Sequence, residues 1–176
     1  MKYAKIKKCD VANGPGVRVS LFVSGCNHHC KNCFNREAWD FNYGKEFTED
    51  EQNEIIEDLK PEYITGLSLL GGEPFERTNQ EGLVPLIKKV KEKYPNKKIW
   101  CYTGFTFDNQ IIGEMIKKEG RKTTKEMLEN IDYIVDGKFI EELKDPKLRF
   151  RGSSNQRIID VKKSLRENRV INWEEE

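Results

Sequence analysis

The stretch Val17-Arg-Val-Ser-Leu-Phe-Val-Ser-Gly-Cys26-Asn-His-His-Cys30-Lys-Asn-Cys33 decides the fold, because a strand runs directly into a loop of three cysteines. Val17–Ser24 is rich in β-branched residues, which is typical of a β-strand. A 4Fe–4S cluster usually takes four cysteine ligands. With the spacing Cys-x3-Cys-x2-Cys, three thiolates would hold three irons and leave the fourth open. An open iron predicts binding of a substrate or cofactor at the metal.

Two other interpretations apply to the same loop. A zinc site needs a fourth ligand, for which His28, His29, Cys9 and Cys101 are candidates. A disulfide is disfavoured because the cysteine count is odd, at five, and three of them stand close together on one loop. We expect His28 and His29 to shield the metal as loop residues and Cys101 to be a core residue. The spacing therefore favours an iron–sulfur cluster and leaves zinc as an alternative.

Length and composition set broad limits on the protein. The chain has 176 residues, of which 36 % are hydrophobic, and this predicts a single domain over residues 1–176. No apolar run approaches the roughly 20 residues of a membrane helix, so we expect no membrane association. The first eight residues lack the apolar segment of a signal peptide. We therefore expect a cytoplasmic protein with reduced thiols.

The charges are dense but balanced. There are 31 Lys and Arg against 30 Asp and Glu, whereas nucleic-acid binding requires a basic excess, so no nucleic-acid partner is expected. One local bias exists between Lys138 and Arg169, with ten basic and five acidic residues. This bias indicates either a solvated face or a docking patch for an acidic electron donor such as a flavodoxin.

Alternating patterns along the chain predict an α/β fold. Predicted strands are Val17–Ser24, Ile64–Leu70, Lys98–Tyr102, Ile131–Val135 and a weaker one at Arg157–Val161. Predicted helices begin at the capping box Thr48-Glu-Asp-Glu51, cover Leu83–Tyr94, and lie around Ile111–Ile116 and Lys125–Asn130. Such βαβ units favour a parallel sheet. Since the chain is shorter than the ~250 residues of an eight-unit barrel, we expect a partial, open (β/α) barrel.

Each predicted strand ends in a loop that contains glycine or cysteine. Ligands bind beyond the carboxyl ends of parallel strands, so the cysteine loop, Gly71-Gly72-Glu73-Pro74, Thr103-Gly104 and Asp136-Gly137 should converge. Glycines allow a ligand to approach the backbone closely, and the carbonyl groups of the Gly71–Pro74 turn can accept hydrogen bonds from an ammonium group. Glu73 either fixes this turn or meets the ligand.

Together these motifs carry a family resemblance over nearly the whole chain. The chain resembles the radical S-adenosylmethionine enzymes, and within them the activating proteins of anaerobic ribonucleoside-triphosphate reductases. The cysteine triplet and the Gly-Gly-Glu-Pro turn carry the superfamily resemblance. The subfamily resemblance rests on Asn13-Gly14-Pro15-Gly16 and Arg151-Gly-Ser-Ser-Asn-Gln156, supported by Trp39, Tyr102-Thr103-Gly104 and Asp136-Gly137-Lys138-Phe139.

The resemblance implies the cofactors, the reaction and the partner. A 4Fe–4S cluster on Cys26, Cys30 and Cys33 would bind the amino and carboxylate groups of S-adenosylmethionine at its open iron. The reduced cluster would cleave the cofactor to methionine and a 5′-deoxyadenosyl radical, which takes hydrogen from a glycine Cα of the partner reductase. The cofactors supply this chemistry, so no catalytic acid or base is named.

The resemblance also implies which residues bind S-adenosylmethionine. The backbone at Asn32, Cys33 and Phe34 should contact the adenine, and Gly72 with Glu73 the methionine end. Asp136 and Lys138 should reach the ribose or carboxylate. Many superfamily members have an aromatic residue just before the third cysteine, whereas this chain has Asn32 there and Phe34 just after it.

Three alternatives accompany this interpretation. One is an activating enzyme of another glycyl radical enzyme, and a second is a different small radical S-adenosylmethionine enzyme. The third, from another class, is a zinc or iron–sulfur binding module without catalysis, against which the Gly71–Pro74 turn argues. Activating enzymes with further clusters carry added cysteine sets, and only Cys9 and Cys101 remain here.

Overall fold

The fold is a mixed α/β arrangement around one sheet, seen in a computed structural model that describes residues 1–175. Seven strands pair in the order β3-β1-β2-β4-β5-β6-β7 across this part of the chain. Their bounds are β1 Lys2–Asp10, β2 Val17–Val23, β3 Lys45–Glu46, β4 Ile64–Gly71, β5 Lys98–Tyr102, β6 Tyr133–Asp136 and β7 Arg157–Asp160. With β3 and β7 at its two ends, the sheet is open.

The middle of the sheet follows the sequence prediction closely. Strands β2, β4, β5 and β6 are parallel, and each begins or ends within two residues of its predicted bounds. The expectation of parallel pairing is wrong for the outer strands, because β1, β3 and β7 pair antiparallel to their neighbours. A parallel connection needs a crossover of about a dozen residues or more, and the six-residue loop between β1 and β2 is too short for one.

The helices lie between the parallel strands and after β7. Their bounds are α1 Glu49–Asp58, α2 Arg77–Lys93, α3 Lys122–Asn130 and α4 Val161–Glu167. The predicted capping box opens α1, where Glu51 accepts a hydrogen bond from the Thr48 backbone N–H at 2.6 Å. The pattern around Ile111–Ile116 belongs to a π-helix, Phe107–Lys118, in which the Ile111 N–H bonds to the Thr106 carbonyl.

One face of the sheet is apolar and covered by helices. Val19, Leu21, Leu67, Leu69 and Ile134 pack there against side chains of α1, α2, α3 and the π-helix. Cys101 lies in this core with no exposure, as the sequence analysis expects. None of the helices in residues 1–175 has the length and apolarity to cross a membrane.

The parallel strands give the sheet two functionally different edges. We call the edge at which β2, β4, β5 and β6 end the carboxyl edge, and the edge at which they begin the amino edge. The loops after Val23, Gly71, Tyr102 and Asp136 therefore lie side by side at the carboxyl edge, as predicted. This convergence places the three-cysteine loop beside the Gly71–Pro74 turn.

Candidate functional site

The cysteine loop leaves the carboxyl end of β2 and is backed by a short 3-10 helix, Arg36–Trp39. Two backbone hydrogen bonds join them, from Gly25 N–H to the Ala38 carbonyl at 2.8 Å and from Cys26 N–H to the Trp39 carbonyl at 3.2 Å. Within the loop, His29 and Asn32 adopt positive φ angles of 49° and 57°. Residues with positive φ angles turn the chain tightly, so the eight residues from Cys26 to Cys33 can bring three thiols onto one short loop.

Aromatic side chains pack against this loop. The His29 ring stacks on Trp39 with centroids 4.4 Å apart, and the Arg36 guanidinium lies 5.1 Å from the same indole ring. Phe41 lies so close to Gly25 that an added Cβ would be 2.3 Å from its ring. Trp39 and Phe41 therefore both pack against the cysteine loop.

The three loop thiols are free and half-buried. Burial raises the pKa of Cys26 to about 12, partly offset by the backbone N–H groups of His28 and His29, which face its sulfur. Burial also raises the pKa of Cys30, against which the Phe139 N–H and the Lys138 charge act. A metal would displace these protons, because coordinating thiols are deprotonated.

The donor set fits a cluster better than a single zinc ion. Within residues 1–175, no three His, Cys, Asp or Glu side chains are arranged to hold one metal ion. A 4Fe–4S cluster places each thiolate on a different iron, so its ligands need not meet at one point.

The four candidate fourth ligands for zinc do not gather with the loop thiols. His28 bonds to Glu73, and His29 stacks on Trp39. Cys101 is in the core, and Cys9 is exposed on β1. The arrangement of the described residues therefore does not favour the zinc alternative.

The Gly71–Pro74 turn packs directly on the start of the cysteine loop. The Glu73 N–H donates to the Gly25 carbonyl at 2.8 Å, and the Gly72 N–H to the Val23 carbonyl at 2.7 Å. A Cβ on Gly72 would lie 2.6 Å from the Gly25 carbonyl oxygen. Gly72 therefore lacks a side chain because the two loops touch there, a reason that the sequence pattern does not show.

Glu73 is almost completely buried, with 1 % exposure. Its Oε1 accepts hydrogen bonds from the Phe75 N–H and the Thr103 hydroxyl, both at 2.8 Å. Its Oε2 accepts from the Gly104 N–H and from His28 Nε2, both at 2.7 Å. One carboxylate thus joins the cysteine loop, the Gly71–Pro74 turn and the end of β5.

Asn79 completes this junction and was missed in the sequence analysis. It is 1 % exposed on the first turn of α2, and its Nδ2 donates to the carbonyls of Ser24 at 3.0 Å and Glu73 at 2.9 Å. Asparagine has low helix propensity, so an Asn just inside a helix start is a weak signal of such a role. The Glu73 carbonyl also accepts from the Glu76 N–H at 3.1 Å, so both of its lone pairs are used and it is not available to an ammonium group.

A polar cleft of about 430 Å³ opens beside this junction. Gly104, Asp136, Lys138, Asn155 and Arg157 are among its lining residues. Asp136 is 1 % exposed and accepts from Arg157 at 2.5 and 3.0 Å and from the Phe107 N–H at 2.8 Å. Lys138 is exposed at the cleft and lies near Cys30. Lys138 is thus accessible from the cleft, whereas the Asp136 carboxylate is already bonded to Arg157.

Asn32 and Phe34 flank Cys33 on the outer side of the loop. Both are exposed, and Phe34 is 90 % exposed. Lys31 in the same loop lies 3.4 Å from Glu142 of the segment that follows the cleft. The predicted adenine contacts therefore lie at the open side of the site.

Much of the basic stretch Lys138–Arg169 is engaged within the chain. The basic side chains with partners in the structure are Arg149, Arg151, Arg157, Lys162, Lys163 and Arg169. Four of them, Arg149, Arg157, Lys163 and Arg169, pair with carboxylates, which reduces the positive charge left for a docking partner.

Comparison with known proteins agrees with this geometry. Residues 12–159 match a family model described as a 4Fe-4S single cluster domain. Similar proteins carry the name anaerobic ribonucleoside-triphosphate reductase-activating protein. One from Haemophilus influenzae is 43 % identical over 90 % of this chain and 97 % of its own length. Others are from Escherichia coli K12, at 39 % over 89 % and 96 %, and phage T4, at 42 % over 90 % and 93 %. The chain belongs to the family of anaerobic ribonucleoside-triphosphate reductase-activating proteins.

Proposed function

We propose that this protein is a radical S-adenosylmethionine enzyme that installs a glycyl radical on an anaerobic ribonucleoside-triphosphate reductase. The observation that carries the proposal is the direct contact between the three-cysteine loop and the Gly71–Pro74 turn, through the 2.8 Å bond from Glu73 N–H to the Gly25 carbonyl. A structural metal site has no need of such a turn beside it.

Cys26, Cys30 and Cys33 are the proposed ligands of a 4Fe–4S cluster with one open iron. When bound and reduced, the cluster supplies the electron that splits S-adenosylmethionine into methionine and a 5′-deoxyadenosyl radical, which takes a hydrogen atom from a glycine Cα of the reductase. The residues of this chain hold, orient and shield the reactants.

S-adenosylmethionine is proposed to lie across the carboxyl edge. The backbone of Asn32, Cys33 and Phe34 would contact the adenine, and the turn at Gly72 the methionine end. Lys138 would attract the carboxylate at the polar cleft, where it is exposed. Asp136 would lie near the ribose, where it holds the Arg157 guanidinium through a 3.0 Å hydrogen bond.

The target is proposed to be a protein glycine because the site is open. An open sheet leaves one side of a bound adenosyl group uncovered, which suits a glycine-bearing loop of a larger partner. That partner would exclude water from the radical, which this small chain does not do by itself. We further propose a partial (β/α) barrel of the radical S-adenosylmethionine type, acting as a single domain over residues 1–176, in the cytoplasm, with a flavodoxin-like electron donor.

Electron paramagnetic resonance tests the function directly. The reconstituted, reduced protein is mixed anaerobically with S-adenosylmethionine and a reductase deuterated at glycine. A glycyl radical signal and deuterium in 5′-deoxyadenosine are expected. Cys30→Ala should lose both signals, whereas Cys9→Ala, which changes an exposed residue of β1, should keep them. Turnover of a free small molecule without label transfer would refute the proposal.

A further inference from the structure

The geometry points to His28 and Glu73 as a pair of positioning residues that locks the cysteine loop to the ends of β4 and β5. This inference rests on the proposed function, since it assigns the pair to the placement of the cluster beside the cofactor turn. In this arrangement Glu73 binds neither S-adenosylmethionine nor iron, and His28 binds the Glu73 carboxylate rather than the metal.

The carboxylate of Glu73 has no oxygen left for a ligand. Each oxygen accepts two hydrogen bonds of 2.7 or 2.8 Å, and three of the four donors belong to backbone N–H groups or the Thr103 hydroxyl. The fourth donor is His28 Nε2, which comes from the cysteine loop, 45 residues earlier in the chain. A buried carboxylate with a full set of donors is rigid, because losing any donor leaves a buried oxygen unsatisfied.

The ring of His28 is enclosed on the side of β5. Its side chain is 8 % exposed, and it lies edge-on to Phe105 with centroids 4.4 Å apart. Gly104 makes room for it, since a Cβ there would be 2.5 Å from the imidazole ring. The ring is therefore held by Glu73 and Phe105, in the space that the absence of a side chain at Gly104 leaves open.

The position of the ring sets the position of a cluster ligand. The backbone N–H of His28 faces the Cys26 sulfur, so a shift of His28 moves a hydrogen-bond donor to that thiolate. Hydrogen bonds to the ligand sulfurs stabilise the reduced, more negative cluster. Releasing the ring from Glu73 should therefore make the midpoint potential of the cluster more negative.

A double-mutant cycle on the reconstituted protein tests the pair. The variants are His28→Ala, Glu73→Gln and the double variant, and His28→Gln restores an amide donor in place of the ring. Asn27→Ala is the matched comparison from the same loop, because it removes an exposed, uncharged side chain and leaves the contact between His28 and Glu73 in place. Iron content and midpoint potential are measured without S-adenosylmethionine or reductase, so a failure of the proposed function leaves the readout intact.

The inference expects iron content to be retained and His28→Ala to lower the potential. Glu73→Gln also removes a negative charge that acts on Cys26, so the readout is the effect of His28→Ala on that background. There His28→Ala should change the potential little, since the contact that it removes is already weakened. His28→Gln should lie nearer to the unaltered protein than His28→Ala, and so should Asn27→Ala. Additive shifts, or equal shifts in His28→Ala and Asn27→Ala, would overturn it.

Loss of iron has its own interpretation. If His28→Ala takes up no cluster and His28→Gln does, the pair positions the loop for assembly, and the inference stands. If His28→Ala and His28→Gln both lose iron while Glu73→Gln retains it, His28 acts directly on the metal. That result would refute the inference.

Discussion

The two edges of the sheet are each held by one buried charged side chain, and these two side chains have opposite signs. At the amino edge, Arg18 is 2 % exposed and donates to Ser68 Oγ at 2.7 Å, the Lys98 carbonyl at 2.6 Å and the Leu67 carbonyl at 3.0 Å. At the carboxyl edge, Glu73 is 1 % exposed and accepts from backbone N–H groups, Thr103 and His28. Each charge is stabilised by hydrogen bonds with polar groups from several strands or loops.

Arg18 and Glu73 differ in the parts of the structure to which their hydrogen-bond partners belong. Arg18 binds mainly the strands β4 and β5 and the loop carbonyl of Pro15, so it joins parts of the framework. Glu73 binds the cysteine loop, its own Gly71–Pro74 turn and the loop after β5. We infer that the amino edge stabilises the fold, whereas the carboxyl edge determines the position of the site.

The largest expected effect is on the amino edge. Arg18→Met keeps the apolar stem but leaves the Leu67 and Lys98 carbonyls without their donor, so it should lower the free energy of unfolding by about 2–4 kcal/mol. Urea unfolding of the metal-free protein measures this. Arg169→Met, at an exposed ion pair with Glu167, is the control and should change stability by about 0.5 kcal/mol or less. Equal effects of both variants would contradict the assignment of Arg18.

The next effect is on the carboxyl edge. Gly72→Ala places a Cβ 2.6 Å from the Gly25 carbonyl oxygen, so the cysteine loop must move. We expect loss of most of the bound iron and a stability cost of about 1–3 kcal/mol. Gly113→Ala in the π-helix is the control, because its nearest neighbour would be 3.3 Å away, and it should keep its iron. An iron-replete Gly72→Ala protein would show that the turn does not support the loop.

A third comparison separates two residues of the polar cleft. Asp136→Asn weakens the buried bonds to Arg157 and Phe107, and should cost about 1–3 kcal/mol of stability with or without S-adenosylmethionine. Lys138→Met alters an exposed residue and should weaken binding of S-adenosylmethionine in calorimetry with little change in unfolding. The reverse pattern would exchange the roles assigned to these residues.

The smallest effect is a pH dependence at the edge of the cleft. The hydrogen bond from Arg157 lowers the pKa of Asp108 below its ordinary value of 3.8. A lowered folded-state pKa gives stability that is present above the ordinary value and is lost as pH falls through the folded value. Asp108→Asn should cost about 0.2–0.5 kcal/mol at neutral pH, because the pair is exposed, and this difference should shrink below about pH 3.8. A difference that grows in acid would contradict this sign.

Local patterns predicted the parallel strands and most helices. Val17–Ser24 and Lys98–Tyr102 are apolar and β-branched or aromatic, and their strands agree with prediction to within one residue. Strand β1 was missed because its sequence, Lys-Tyr-Ala-Lys-Ile-Lys-Lys-Cys-Asp, contains four lysines and has no regular apolar alternation. It is a strand because it pairs with β2, which only the assembled sheet provides.

The sequence by itself determined the three thiols on one loop, the glycine-rich turn and the edge at which they meet. These are local or periodic features, and the topology of parallel strands turns them into a prediction of proximity. Only the tertiary structure decided what Glu73, His28, Gly72 and Arg18 contact. Most of these partners lie about 30–80 residues away along the chain, and such pairings leave no periodic pattern in the sequence. The physical reason is that buried charges are stabilised by whichever donors and acceptors folding brings to them.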